Sequence, residues 1–189
     1  VFMARPDDPL SFVAGRLEMR QTILEAQAVA ARADFRELRA LGGGCAIAKT
    51  EERGITLPQL RAVKAQIDRR CVAEGWTDWE GRALRPETVS LYDAAKYVIK
   101  PATVERQCSL VELFAAAPQL PKWFVSHWWG EPVFDFIACL EQHAQDYLLG
   151  KGRKEKFVPS DTKAVYWVCA YANNQWALDD ALTEDPGET

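Results

Sequence analysis

The stretch PKWFVSHWWGEP, residues 121–132, marks a change in the character of the chain. Trp123–Val125 and the residues that follow are aromatic or β-branched, which is typical of a short strand, and Gly130 interrupts the run. Pro132 suits the first turn of a helix, where its missing N–H is not needed. We therefore predict a strand followed directly by a helix.

The run AVYWVCAY, residues 164–171, predicts a second strand. It is almost continuously apolar, which is typical of a parallel sheet that is buried on both faces. Strand, helix and parallel strand form a βαβ unit. The loop at the carboxyl end of its first strand, residues 126–131, is where such folds bind ligands. The predicted helix between the strands carries its apolar stripe at Val133, Ile137, Leu140, Ala144 and Tyr147.

Residues 1–120 are predicted to be entirely helical. The expected elements are a long helix over 10–41, a loop over 45–55, a helix after Thr56, a helix from Pro86 to Pro101, and a short helix over 109–117. The two tryptophans of WTDWEGRAL, residues 76–84, are expected to cover the edge of the core.

These elements predict an α/β protein with two parts. A helical N-terminal segment spans residues 1–120, and an incomplete Rossmann-like or flavodoxin-like βαβ module with a short parallel sheet spans 121–189. The sheet is called incomplete because a doubly wound sheet usually has about four or five strands, and only two are predicted here.

Composition narrows the class of protein. Hydrophobic residues make up 48% and charged residues 26%, which is typical of a globular chain. The formal net charge of −4 argues against a general nucleic-acid binder, which needs a basic face. No apolar run reaches the roughly 18 residues of a membrane span. We therefore expect no transmembrane segment and no nucleic-acid partner.

The cysteines and histidines predict neither disulfides nor a metal site. The five cysteines are widely spaced with no CxxC pair, as expected of thiols in a reducing compartment. The two histidines, His127 and His143, are far apart, and His143 is expected to face solvent. We expect an intracellular location, either the cytoplasm or, if a transit peptide has been removed before Val1, the plastid.

Two motifs resemble those of a known family. FVSHWWGE (Phe124 to Glu131) and YWVCAYANNQ (Tyr166 to Gln175) are similar to the two leading motifs of the heterokaryon-incompatibility (HET) domain, whose fold is similar to that of TIR domains. Ser126, Trp129 and Gly130 match the first motif; Cys169, Asn174 and Gln175 match the second loosely. The family's usual Trp-Ile-Asp is Trp167-Val168-Cys169 here, so its acidic residue is lost.

The resemblance covers about residues 121–178. The whole chain also resembles a large family of protist proteins, notably from dinoflagellates and related algae, that joins a helical segment to this module. Some TIR-like domains hydrolyse NAD with a glutamate on a helix after the third strand. Glu131 and Glu141 lie on the first helix and do not take over that role.

The candidate site residues follow from the predicted strand ends and from the resemblance of the two motifs. The ligand-binding candidates are Ser126, His127, Trp129, Gly130, Asn174 and Gln175. For acid–base chemistry the candidates are Ser126, His127 and Glu131; the alternative is that Ser126 and Glu131 cap the helix and His127 bonds to a backbone carbonyl. Trp128 and Trp129 are candidates for contact with a protein partner.

The leading functional hypothesis is a noncatalytic scaffold or interaction protein without a cofactor. A chain of this kind would be a peripheral subunit of a larger assembly, which includes a membrane-bound complex. One alternative is an NAD- or nucleotide-processing enzyme that uses the 126–131 loop. The other alternative is a signalling adaptor, as TIR and HET domains often are.

Overall fold

Three short strands form one open sheet in the computed structural model of the chain, which describes residues 43–148 and 164–177. The helix predicted over 10–41 lies outside the described residues. The strands are β1 (Ile55–Thr56), β2 (Trp123–Val125) and β3 (Val165–Val168), in the order β1-β3-β2. The helices are α1 (Leu57–Arg70), α2 (the consecutive helical turns 91–103), α3 (Leu110–Phe114), α4 (Val133–Leu148) and α5 (Cys169–Ala172). The fold is therefore mixed α/β.

The predicted parallel pairing of the two aromatic-rich segments is confirmed. β2 and β3 lie side by side, with Trp123 opposite Tyr166 and Phe124 opposite Trp167, and α4 connects them. Residues at paired positions point to the same face of a sheet, so each face carries its own aromatic pair. Trp123 stacks on Tyr166 at 5.3 Å between ring centroids.

The prediction that both faces of the sheet are buried is wrong. Tyr166 and Val168 are buried, whereas Trp167 is half-buried and Phe124 is 72% exposed. The rings of Phe124 and Trp167 stack at 4.9 Å on the outer face. β3 also ends three residues before its predicted end, because Cys169 begins α5.

β1 corrects the prediction that residues 1–120 are entirely helical. It pairs antiparallel with β3, Ile55 opposite Tyr166, so the sheet draws on both sides of the boundary predicted at residue 120. Gly54 permits this close approach. A Cβ atom there would lie 2.4 Å from Val165 Cγ1 and 2.6 Å from the backbone oxygen of Gln119, and the Gly54 N–H donates to that same oxygen at 2.8 Å.

The two capped helices predicted before residue 120 are confirmed. Thr56 accepts a hydrogen bond from the Gln59 N–H at the start of α1, and Ser109 accepts one from the Glu112 N–H at the start of α3. Both are capping boxes, in which the third residue bonds back to the cap. The predicted buried face of α1 consists of Leu60, Val63, Ile67 and Cys71, all fully buried.

The helix predicted from Pro86 to Pro101 is displaced along the chain. Pro86 belongs to a separate 3₁₀ turn, Pro86–Thr88, and Ser90 caps α2 instead. Pro101 does not end the helix, which continues to Thr103.

A π-helical turn, Ala95–Ile99, explains how α2 tolerates Pro101. A proline inside an α-helix lacks an N–H and its ring clashes with the carbonyl four residues earlier. The wider turn changes this geometry, because the Lys100 N–H bonds to the carbonyl of Ala95, five residues back.

α4 packs on the inner face of the sheet through the predicted stripe. Val133, Ile137, Leu140 and Ala144 are buried. His143 is exposed, as predicted, yet its Nδ1 lies 3.0 Å from the Tyr166 hydroxyl. Burial raises the pKa of Tyr166 to about 12.

A buried ion pair fixes the chain before β1. Arg53 lies 3.4 Å from Glu112 and donates to the carbonyl oxygens of Ile47 and Ala172. Burial alone would raise the pKa of Glu112; hydrogen bonds from Ile47 and Ser109, with the charge of Arg53, lower it instead.

The two tryptophans of residues 76–84 differ in burial. The prediction that both cover the edge of the core is wrong for Trp79. Trp76 is 2% exposed and stacks on Tyr97 at 4.7 Å. Trp79 is 88% exposed at the tip of a turn that Asp78 closes by bonding to Arg82.

All five cysteines are free thiols, as predicted. Within the two described ranges, no helix has the length and apolar character needed to span a membrane.

Candidate functional site

The carboxyl ends of β2 and β3 lie next to each other because the two strands are parallel. The loop 126–132 follows β2, and α5 follows β3. In open α/β sheets this edge is the usual location of a ligand site. Each predicted site residue lies on one of these two connections or directly after α5.

Backbone hydrogen bonds hold the loop 126–132 against the segment that leads into α2. The Leu91 N–H donates to the Trp129 carbonyl at 3.0 Å, and the Val133 N–H donates to the Val89 carbonyl at 2.8 Å. Ser90 and Pro132 form an isolated bridge between these bonds. We call loop 126–132 and the facing residues 89–93 the tryptophan corner. The N-termini of α2 and α4 both lie at this corner.

Trp129 joins the two strand ends. Its indole N–H donates to the Cys169 sulfur at 3.3 Å, and its ring contacts that of Tyr92 at 5.4 Å. The side chain is half-buried, and its one polar group is satisfied inside the protein. Trp129 therefore positions the loop, and it offers little free surface to a ligand or a partner.

Trp128, the neighbouring residue, has the opposite environment. Its side chain is 74% exposed. The ring lies over Gly130, where an added Cβ would be 2.3 Å from the indole Cζ2. Gly130 thus provides the space in which the Trp128 ring rests. One face of the ring is held against the backbone and the rest meets solvent.

His127 points into the protein rather than towards the surface of the loop. Its ring contacts Phe136 at 4.8 Å, and neither ring nitrogen has a hydrogen-bond partner among the described residues. The predicted bond from His127 to a backbone carbonyl does not reach normal hydrogen-bond geometry, although the Val125 carbonyl acts on the ring. Burial lowers the pKa of His127; the Val125 carbonyl and the charge of Glu131 oppose this effect only in part.

Ser126 and Glu131 complete the predicted acid–base set, and neither is hydrogen-bonded to a His127 ring nitrogen. Ser126 is exposed. Glu131 is half-buried, and its N–H closes a turn onto the Trp128 carbonyl at 3.0 Å. A neutral imidazole with buried nitrogens cannot exchange protons readily with a substrate in the loop.

Asn174 and Gln175 are used in the fold itself. The Gln175 side chain is buried and donates to the Ala170 carbonyl at 3.1 Å, closing the end of α5. Asn174 donates to the Gln107 carbonyl at 2.7 Å, beyond the end of α2. Gln175 also lies 3.5 Å from the Cys169 carbonyl. Gln175 and Trp129 therefore both approach Cys169, whereas the Asn174 side chain bonds to Gln107.

Tyr92 is the corner residue that the sequence argument missed. The helix predicted from Pro86 does not single it out, but it is 62% exposed and borders Trp129. Because Ser90 caps α2, the buried positions are Leu91, Ala94 and Val98 instead. The cap signal Ser90–Asp93 was present in the sequence and would have corrected the register.

Among residues 43–148 and 164–177, no group of three His, Cys, Asp or Glu side chains is arranged to hold a metal ion. No protein-family model matches the chain, and neither the curated proteins nor the solved structures include one that resembles it significantly.

Proposed function

We propose that the protein is a noncatalytic interaction or scaffold subunit that contacts its partner through Trp128. The supporting observation is the exposed Trp128 ring on a loop that is fixed on both sides. Tryptophan is enriched among the residues that contribute most to binding energy at protein interfaces. Because the backbone of this loop is already fixed, less conformational entropy is lost when a partner covers Trp128.

The rigidity of the tryptophan corner supports this role. Two backbone bonds tie the loop to residues 89 and 91, and the Trp129 indole ties it to Cys169. The three bonds fix the backbone on either side of Trp128, the most exposed aromatic side chain of the corner. Trp129 is therefore proposed as the support and Trp128 as the contact.

We further propose that β2, α4 and β3 form a TIR/HET-like module. The parallel pair with a helix between its strands is consistent with that fold, and the matching motif residues Trp129, Gly130 and Cys169 meet at one place. The identity of the module rests on this local agreement and on the resemblance of the two motifs. A role as a signalling adaptor would use the same surface.

The corner gives less support to an NAD- or nucleotide-processing enzyme. His127 faces Phe136 with its nitrogens buried. Two helix N-termini meet here and would attract phosphate, but Asp93 bonds to Ser90 at the start of α2 and Glu131 precedes α4. These carboxylates repel the phosphates of a nucleotide.

The proposal is tested by affinity capture from native extract with the full chain, with Trp128→Ala, and with Trp79→Ala as a matched control. Both substitutions remove an exposed tryptophan. We expect Trp128→Ala to lose a partner that wild type and Trp79→Ala both retain. A monomer in native extract without any partner would overturn the proposal.

A second experiment addresses the enzyme alternative directly. Purified wild-type protein is incubated with NAD, and nicotinamide release is measured. We expect none above the background of buffer. Release that disappears in both His127→Ala and Glu131→Ala would replace the scaffold proposal by the enzyme.

A further inference from the structure

We propose that the partner presents a cationic side chain, arginine or lysine, to the exposed face of Trp128. This inference rests on the proposed function and specifies the chemistry of its partner. Three observations carry it: an unoccupied aromatic face, an excess of carboxylates around it, and the use of the same interaction elsewhere in this fold.

The charged side chains in the sequence around the corner are all acidic. Residues 87–93 and 126–135 include four carboxylates and no lysine or arginine. The carboxylates are Glu87, Asp93, Glu131 and Asp135. Two helix N-termini lie here, and each contributes about half a positive charge. Roughly one positive charge from the helix ends, together with Lys64 over Phe134, is set against four carboxylates. The corner keeps about two excess negative charges, which favours a cationic partner and disfavours an anionic one.

Cations already lie over other aromatic rings of this fold. Lys64 lies 4.6 Å from the centroid of Phe134, and Lys96 lies 4.5 Å from that of Tyr97. In the part of the chain that is described, no lysine or arginine occupies the Trp128 ring in this way. Tryptophan binds cations through its face more strongly than phenylalanine or tyrosine does. Trp128 is therefore a cation acceptor that no residue of the ranges 43–148 and 164–177 occupies.

Trp79 provides the internal comparison. It is exposed to a similar degree and is also flanked by carboxylates, Asp78 and Glu80. Both of these are paired with Arg82, at 2.7 and 2.6 Å. Arg82 is bonded to both carboxylates beside Trp79 and leaves about one excess negative charge there, compared with about two around Trp128. A cationic ligand should distinguish the two rings.

The test uses the tryptophan indole N–H signals of the full, ¹⁵N-labelled chain. The probe is a blocked tetra-arginine peptide, and the control is the tetra-citrulline peptide, which has nearly the same shape without charge. We expect tetra-arginine to shift the Trp128 signal, assigned from Trp128→Phe, and to leave that of Trp79 in place. Tetra-citrulline should bind at least about fivefold more weakly.

Two variants separate the contributions. Trp128→Leu keeps an apolar side chain but removes the ring, and we expect about fivefold weaker binding of tetra-arginine. Glu131→Gln combined with Asp135→Asn should weaken binding further, with less dependence on salt. Equal binding of the two peptides, or equal shifts at Trp79 and Trp128, would overturn the inference.

The two proposals fail in different ways. If affinity capture depends on Trp128 but the peptides bind without preference for charge, the cationic partner is wrong and the scaffold proposal stands. If Trp128→Ala leaves capture unchanged, the proposed anchor is wrong, whatever the peptides do.

Discussion

Replacing the two adjacent tryptophans one at a time should have very different effects on stability. For Trp129→Ala we expect the free energy of unfolding to fall by about 3 kcal/mol, at the lower end for the loss of a large aromatic side chain because Trp129 is only half-buried. Trp129→Phe keeps most of the ring and removes the bond to Cys169, so about 1 kcal/mol is expected. For Trp128→Ala the change should stay within about 0.5 kcal/mol.

The measurement is urea unfolding followed by far-ultraviolet circular dichroism, with the midpoint and the slope fitted separately. The slope should be the same in all four proteins, so that a shift of the midpoint reports stability. If Trp128→Ala costs as much as Trp129→Ala, then Trp128 contributes to the fold. Its exposure would then be no reason to propose a contact with a partner.

Three further predictions follow from the core and the loop. Gly54→Ala should cost about 2–3 kcal/mol and lower Tm by roughly 5–10 °C, because the new Cβ meets backbone on a neighbouring segment. Gly130→Ala should cost under about 1 kcal/mol, since only the Trp128 ring must move. Equal losses of stability in calorimetry would contradict this difference. Burial lowers the pKa of folded His127, so the unfolded chain takes up the proton first, and stability should fall as pH drops below about 6.5 towards the folded pKa. His127→Phe should flatten the stability profile in that window, and an unchanged profile would refute the assignment. Glu112→Gln should cost on the order of 2–3 kcal/mol at pH 7. The cost should shrink as the pH falls through the lowered pKa of the folded carboxyl, and a loss independent of pH would show that charge is not the cause.

The elements predicted best are those whose signals are local. The caps Thr56 and Ser109, and the apolar stripe of α4 from Val133, act over three or four residues and need no knowledge of the rest of the chain. The pairing of β2 with β3 was also predictable, because a helix between two apolar runs favours a parallel crossover.

The parts predicted wrongly depend on distant contacts. β1 has only two residues, too few for an alternation pattern, and it exists because β3 offers an unpaired edge more than 100 positions later. Pro101 is a reliable helix breaker in isolation, but the π-helical turn before it changes the local geometry.

The candidate site was predicted in position but not in the division of roles. The sequence HWW at 127–129 gives no sign that the first ring faces inward, the second outward and the third across to Cys169. That division depends on Gly130 and on the backbone bonds to residues 89–91.

The order β1-β3-β2 has a consequence for synthesis on the ribosome. The middle strand of the sheet is the last of the three to be translated, so neither ladder can form while only the earlier strands have emerged. Until residues 165–168 leave the exit tunnel, the exposed aromatic residues Trp123 and Phe124 have no strand to pair with. A nascent chain stalled before that point should therefore bind chaperones that recognise apolar segments, and it should be released once β3 has emerged.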